Sequence, residues 1–169
     1  MSLRIGLGYD VHAFALPEAN RPLMLGGVKV EHDKGLLGHS DADVLIHAIA
    51  DAMLGAARLG DIGQHFPDTD PTYLGADSLE LLAKVNGLIA EAGFSIVDID
   101  CVIQAEKPKL APYREQMRKK LANCLGVDMA SIGIKATTTE GLGAIGRAEG
   151  IAATAVALLI GNKESHAYL

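Results

Sequence analysis

The segment 150–160, Gly-Ile-Ala-Ala-Thr-Ala-Val-Ala-Leu-Leu-Ile, constrains the fold more than any other stretch of the chain. It does not alternate between apolar and polar residues. Read as a strand, it is apolar on both faces, and both faces need a cover. One cover is the chain's own helices. The other is expected to be a neighbouring subunit. A buried, alanine-rich helix fits the same residues, and pattern alone does not separate the two.

The rest of the chain supplies the helices and further strands. Residues 3–12 read as a strand, and 22–30, broken by Gly26-Gly27, as a hairpin or two short strands. A helix is expected over 42–58, with Leu45, Ile49, Met53 and Ala56 at helical spacing. A second begins at Asp77 with Glu80 three residues on, buries Leu79, Leu82, Val85 or Asn86, and Ile89, and stops at Gly93. A strand over 94–105 follows. A third helix over 113–125 buries Met117, Leu121 and Cys124, and a strand covers 132–138. Alternating strands and helices in the second half favour an α/β arrangement, an α+β sandwich with a mixed sheet. At 169 residues, the chain is expected to form one domain, 1–169, with a core that needs no staples.

Composition narrows the partners. The formal charge is −6 and no basic patch is visible, which argues against nucleic acid and anionic membrane. No signal-peptide pattern precedes Arg4, and no apolar run reaches the length of a membrane span. Cys101 and Cys124 lie far apart without zinc-like spacing and read as thiols of a reducing, cytoplasmic compartment.

The chemistry concentrates in Gly-Tyr-Asp-Val-His, 8–12, and Gly-His-Ser-Asp-Ala-Asp-Val-Leu-Ile-His, 38–47. Asp10 and His12 are two apart on a strand, so both side chains share a face. With His47 on the following helix they form two imidazoles and a carboxylate. Such a three-ligand set holds catalytic zinc and leaves one position for water or substrate. Taken singly, an Asp-x-His strand and a helical histidine are common packing residues. The density of His39, Ser40, Asp41 and Asp43 beside them raises the metal reading. Asp51, one turn after His47, is expected to fix its tautomer, and Ser40 with Asp43 to cap the helix as Ser-x-x-Asp.

Three loops collect further polar groups. Residues 61–70 hold Asp61, Asp68 and Asp70, suited to hydroxyls or a cation and equally to ordinary turns. Residues 105–112 place Lys107 and Lys109 in a proline-framed turn, suited to a phosphate or a nucleotide. Residues 135–140 offer consecutive threonines for phosphate oxygens and Glu140 as a hard ligand for magnesium. Gly141, Gly143 and Gly146 fit G-x-G-x-x-G, but the remaining chain is too short for a βαβ unit, so they are read as a loop.

Together, Gly-Tyr-Asp-Val-His, Gly-Leu-Leu-Gly-His-Ser-Asp-Ala-Asp, Leu-Gly-Asp-Ile-Gly-Gln-His-Phe-Pro-Asp-Thr-Asp-Pro, Pro-Lys-Leu-Ala-Pro and Lys-Ala-Thr-Thr-Thr-Glu occur in order from Arg4 to Ile160. In this the chain resembles the 2-C-methyl-D-erythritol 2,4-cyclodiphosphate synthase family, metal-dependent lyases of the non-mevalonate isoprenoid pathway. The resemblance implies a mixed four-stranded sheet with helices on one face. The other face packs at the axis of a homotrimer whose active sites lie between subunits. It implies Zn2+ on Asp10, His12 and His47, and Mg2+ or Mn2+ on Glu140 with the substrate phosphates. His39 and Thr138 match positions of transition-state stabilisation. Asp61, Ile62, Gly63, Phe66, Pro67, Asp68, Thr69 and Asp70 match the methylerythritol loop. Ala105, Glu106, Lys107, Pro108, Lys109, Leu110 and Ala111 match the cytidine pocket. Thr137, Thr138, Thr139 and Glu140 match the phosphate contacts, and Ser40, Ala144 and Arg147, with Asp10, His12 and His39, complete the substrate set. Ala144 stands where relatives often carry an aromatic residue, and Ala148 replaces a glycine.

The implied substrate is 4-diphosphocytidyl-2-C-methyl-D-erythritol 2-phosphate. Its 2-phosphate attacks the β-phosphorus and CMP leaves. Rival readings are a zinc phosphoesterase and a trimeric, metal-stabilised binding protein without turnover.

Overall fold

The computed structural model describes residues 2–162. The final segment is a strand, not a helix. Strand β1 (Leu3–Ala13) is followed by the hairpin of β2 (Leu23–Leu25) and β3 (Val28–Val30). Next come helices α1 (Val44–Ala57), α2 (Ile62–His65) and α3 (Ser78–Glu91), then strand β4 (Phe94–Gln104) and helix α4 (Arg114–Leu125). Strand β5 (Ile132–Thr137), the single turn α5 (Gly143–Gly146) and β6 (Gly150–Gly161) complete the order. The main sheet runs β1-β6-β4-β5. Its first two pairings are antiparallel and β4–β5 is parallel. The architecture is therefore the expected α+β sandwich with a mixed four-stranded sheet. Only the one turn of α5 follows Gly143, so the rejected dinucleotide reading has no helix to rest on.

Helices α1, α3 and α4 cover one face of the sheet. Inward-facing Ile151, Ala153, Ala155, Ala157 and Leu159 of β6 and Ile99, Cys101 and Ile103 of β4 are buried beneath them. The close fit has a cause in β1. Gly6 and Gly8 face α1, and a Cβ on either would lie 1.9 Å from a helix carbonyl, Ala52 O or Ala48 O respectively. Helix and strand backbones touch, which only glycine on the strand and alanine on the helix permit. This also explains how a core with few aromatic residues fills its volume. On the other face, Leu3, Ile5, Leu7, Tyr9 and Val11 of β1 are 48–68% exposed, an apolar stripe that the described residues leave uncovered.

Helix α1 starts later than expected because Ala42 adopts a left-handed conformation (φ 60°) and Asp43 is the cap. The Asp43 carboxylate is fully buried and accepts from Ile46 N at 3.1 Å, Gly26 N at 2.9 Å and Gly27 N at 2.7 Å. One side chain thus caps α1 and fastens the hairpin turn to it. Ser40 is not the cap; its hydroxyl lies against His47. In α3, Asp77 caps as expected, and the buried face is Leu81, Leu82, Val85 and Ile89, with Leu79 only half-buried. Cys124 is also half-buried, its thiol donating to Leu79 O at 3.3 Å.

Candidate active site

The glycine contacts that set α1 on β1 also build the site. Past Gly6 and Gly8, the same face of β1 carries Asp10 and His12 beyond the start of the helix, where His47 sits in the first turn. Asp10 Oδ2 lies 2.9 Å from His12 Nε2 and 3.0 Å from His47 Nδ1, and the two nitrogens are 3.2 Å apart. Around a tetrahedral zinc with bonds of about 2.0–2.1 Å, neighbouring donors stand about 3.3–3.4 Å apart. The observed triangle is a few tenths of an ångström tighter, and its donor set suits a divalent cation. The side chains of Asp10, His12 and His47 are 25%, 19% and 13% exposed, so the centre is reachable yet poor in water.

The other ring nitrogens are committed elsewhere. His12 Nδ1 donates to Leu37 O at 2.5 Å, which leaves the Nε2 lone pair for the centre. His47 Nε2 lies 3.1 Å from Ser78 Oγ and 3.2 Å from Ser40 Oγ. Asp51, expected behind His47, instead accepts from Ile62 N at 2.7 Å and ties α2 to α1. Burial alone raises the Asp10 pKa, but hydrogen bonds and charge from His12 and His47 outweigh it and hold the carboxyl well below its usual range. Burial lowers that of His12, and the bond to Asp10, its charge and the Leu37 carbonyl together push it up.

The triad opens into a cavity of about 430 Å³ lined by Asp10, His12, His39, Ser40, His47, Ile62, Gly63, Phe66 and Asp68 among the expected residues. Gly38, Tyr73 and Leu81 line it too and were not expected. His39 is steadied by its Nε2, which donates to Asp70 O at 3.1 Å. A second cavity of about 240 Å³ gathers Ala105, Glu106, Pro108, Lys109, Leu110, Ala111, Thr137 and Thr138, with Ala136 as an unexpected member. Glu106 joins its two loops by accepting from Thr139 N at 2.8 Å. Thr138 Oγ1 donates to Glu140 Oε1 at 2.9 Å. Asp61, Pro67, Thr69, Asp70, Lys107, Thr139, Glu140, Ala144 and Arg147 line neither cavity. Asp61 caps α2 and Arg147 pairs with Glu149 at 2.6 Å.

Both cavities open at one end of the sheet. His12 pairs with Ile151, and Gln104 pairs with both Ala152 and Thr137. They lie at its opposite edges, three strand spacings or about 14 Å apart.

Comparison with known proteins settles which family builds this site. The model of the YgbB family matches residues 3–160. The 2-C-methyl-D-erythritol 2,4-cyclodiphosphate synthase of Thermosynechococcus vestitus is 62% identical over 159 residues, 94% of this chain and 97% of the relative. The chain belongs to the YgbB family of 2-C-methyl-D-erythritol 2,4-cyclodiphosphate synthases. Solved structures agree. IspF from Plasmodium falciparum, in a CDP complex, superposes with a TM-score of 0.83 at 34% identity, covering 96% of this chain and 98% of that one. The bifunctional IspDF of Campylobacter jejuni gives a TM-score of 0.89 at 45% identity, covering 94% of this chain but only 42% of that longer protein. A YgbB-family synthase is an enzyme, a lyase that closes a cyclic diphosphate in the non-mevalonate isoprenoid pathway, and the Asp10, His12 and His47 triad gives this member a possible divalent-metal site.

Proposed function

We propose that the chain cyclises 4-diphosphocytidyl-2-C-methyl-D-erythritol 2-phosphate to the 2,4-cyclodiphosphate with release of CMP. The triad at the mouth of the larger cavity, in a chain of this family, is the observation that carries the reading. A P–O bond forms between the substrate's 2-phosphate and the β-phosphorus. The bond from the β-phosphorus to the oxygen that bridges it to the α-phosphorus breaks, and that oxygen keeps the electron pair and leaves as part of CMP. Both reacting groups belong to one molecule, so no protein nucleophile enters. The chain's task is to fold the substrate, and well-oriented intramolecular reactions gain about 7–11 kcal/mol from placement.

In this reading Asp10, His12 and His47 hold zinc, and Glu140 supplies a ligand for magnesium or manganese, the Thr138 hydroxyl turning from Glu140 to the phosphate when substrate binds. When bound, these cations would neutralise phosphate charge that otherwise repels the attacking oxygen. The loop with Ile62, Gly63, Phe66 and Asp68 encloses the methylerythritol part, and the turn 105–111 takes the cytidine. Thr137, Thr138 and Thr139 donate to phosphate oxygens. His39 and Thr138 stabilise charge as the ring closes.

The same proposal makes the working unit a homotrimer of single-domain chains. The apolar stripe of β1 supports it, since a patch of that kind marks an interface. Sharing each site between neighbours would bring the second cavity of one subunit to the triad of the next. No helix among the described residues is long and apolar enough to cross a membrane, and the free thiols Cys101 and Cys124 suit a reducing cytoplasm.

His47→Ala tests the assignment. It should abolish zinc binding and CMP release while leaving the oligomer intact. Full zinc occupancy with CMP release in that variant would overturn it.

A further inference from the structure

Behind His47 lies a chain of hydrogen bonds that no metal-ligand argument requires. Ser78, fully buried at the start of α3, stands 3.1 Å from His47 Nε2. Its hydroxyl donates to Asp41 Oδ1 at 2.5 Å. Asp41 is itself fixed: its Oδ2 accepts from Ser78 N at 3.2 Å, its Oδ1 from Asp43 N at 3.2 Å, and its N donates to Ala76 O at 3.1 Å.

The proton count along this chain has one solution. A carboxylate only accepts, so the single Ser78 proton points to Asp41. The Ser78 oxygen then faces His47 with lone pairs, and Nε2 must carry a proton. Ser40 Oγ accepts from Ala42 N at 3.2 Å and has a second lone pair for Nε2–H; were it to donate its proton to Nε2 instead, the Ser78 oxygen would face that nitrogen lone pair to lone pair at 3.1 Å. A neutral His47 with its proton on Nε2 has its free lone pair on Nδ1, the atom 3.0 Å from Asp10 and 3.2 Å from His12 Nε2.

We propose that Ser78 and Asp41 are positioning residues that set the tautomer and ring orientation of His47 and so present Nδ1 to a divalent cation. This rests on the reading of Asp10, His12 and His47 as the metal site. Without the chain, the nearby Asp10 carboxylate is the strongest acceptor left to the ring, and it draws the proton to Nδ1, where it blocks ligation. The arrangement also couples the site to α3. Ser78 opens that helix, so the metal clamps β1, α1 and α3 together.

The test is zinc affinity by chelator competition with Ser78→Ala, paired with NMR of the His47 ring. Outer partners of metal-bound histidines are worth about 10–100-fold in affinity. Ser78→Ala should therefore weaken zinc by about that factor. In the zinc-loaded wild type, the His47 Nε2 proton should give one slowly exchanging resonance, and Ser78→Ala should broaden or remove it. Loss of packing alone would move neither ring proton nor tautomer. Should Ser78→Ala fold poorly, Asp41→Asn keeps Ser78 and removes the charge behind it. Its expected loss is about tenfold, the lower end of the same range. Wild-type zinc affinity within about twofold in either folded variant, or a metal on His47 Nε2, overturns the proposal. If the wild type itself binds no zinc, the metal-site reading fails and this inference falls with it; wild-type binding with indifferent variants sinks the inference alone.

Discussion

Gly8→Ala is the sharpest test of how the fold makes the site. A Cβ at Gly8 would sit 1.9 Å from Ala48 O and 2.7 Å from Ala52 N. A comfortable carbon–oxygen contact is about 3.3 Å, so helix and strand must part by about 1.4 Å. Both clashing atoms are backbone and cannot rotate away. Overpacking of this kind costs about 1–3 kcal/mol. For a chain of this size that is about 2–12 °C of melting temperature. The functional effect is larger. Asp10 is two residues beyond Gly8 and His47 adjoins Ala48, so the shift reaches the triad, whereas metal–ligand distances tolerate about 0.2 Å. Zinc affinity should fall at least about tenfold, as for loss of an orienting group. Gly55→Ala in the same helix is the control. Nothing lies within 4 Å of its added Cβ, and it should stabilise by about 0.5–1 kcal/mol. The assay is thermal melting at fixed protein concentration with and without zinc. A Gly8→Ala protein that melts and binds zinc like the wild type would refute the claim that backbone contact positions the ligands.

Other consequences follow from single groups. Asp43→Ala leaves the N–H groups of Gly26, Gly27 and Ile46 without their acceptor in a dry site, at about 1–3 kcal/mol each, so denaturant melts should show a loss of at least about 3 kcal/mol. The metal-free and zinc-bound proteins should respond oppositely to pH. The raised pKa of His12 makes its contribution to the metal-free fold complete below 6.5 and lost as pH rises through the folded value. The lowered pKa of Asp10 makes its contribution present above 3.8 and lost as pH falls through the folded value. Zinc needs His12 unprotonated, so the stabilisation it confers should grow with pH across the range above 6.5, and calorimetry showing the reverse would contradict the assignment. Thr138→Val should lower kcat by about 10–1000-fold with a smaller change in KM; a raised KM at unchanged kcat would make Thr138 a binding residue only.

The ligand triad was legible because period-2 spacing on a strand and a histidine in the next helix are local patterns. The groups behind it were not. Asp51 is the natural local candidate, one turn from His47, but a competing local need, the N–H of Ile62, claims its carboxylate. Ser78 lies 31 residues from His47 and looks in sequence like an ordinary helix start. Only the packing of α3 against α1 brings it to the ring. Ser40 fitted a capping pattern, yet Asp43 takes the cap, since its carboxylate also answers the hairpin turn. Gly6 and Gly8 carried a signal that period alone ignores: glycines inside a strand mark close backbone approach. The apolar final segment is a strand covered by helices on one side, the first of the two readings that its pattern allowed. The exposed stripe that calls for a second cover sits mainly on β1, which alternates and was read in the sequence only as the strand that carries Asp10 and His12.

Phosphorus NMR of the product formed from 4-diphosphocytidyl-2-C-methyl-D-erythritol 2-phosphate tests the central claim most directly. The account predicts a pair of coupled diphosphate resonances from a closed ring, in equal amount to CMP. Inorganic phosphate with an acyclic product would identify a phosphoesterase, and unchanged substrate with zinc bound would identify a binding protein; either result contradicts the account.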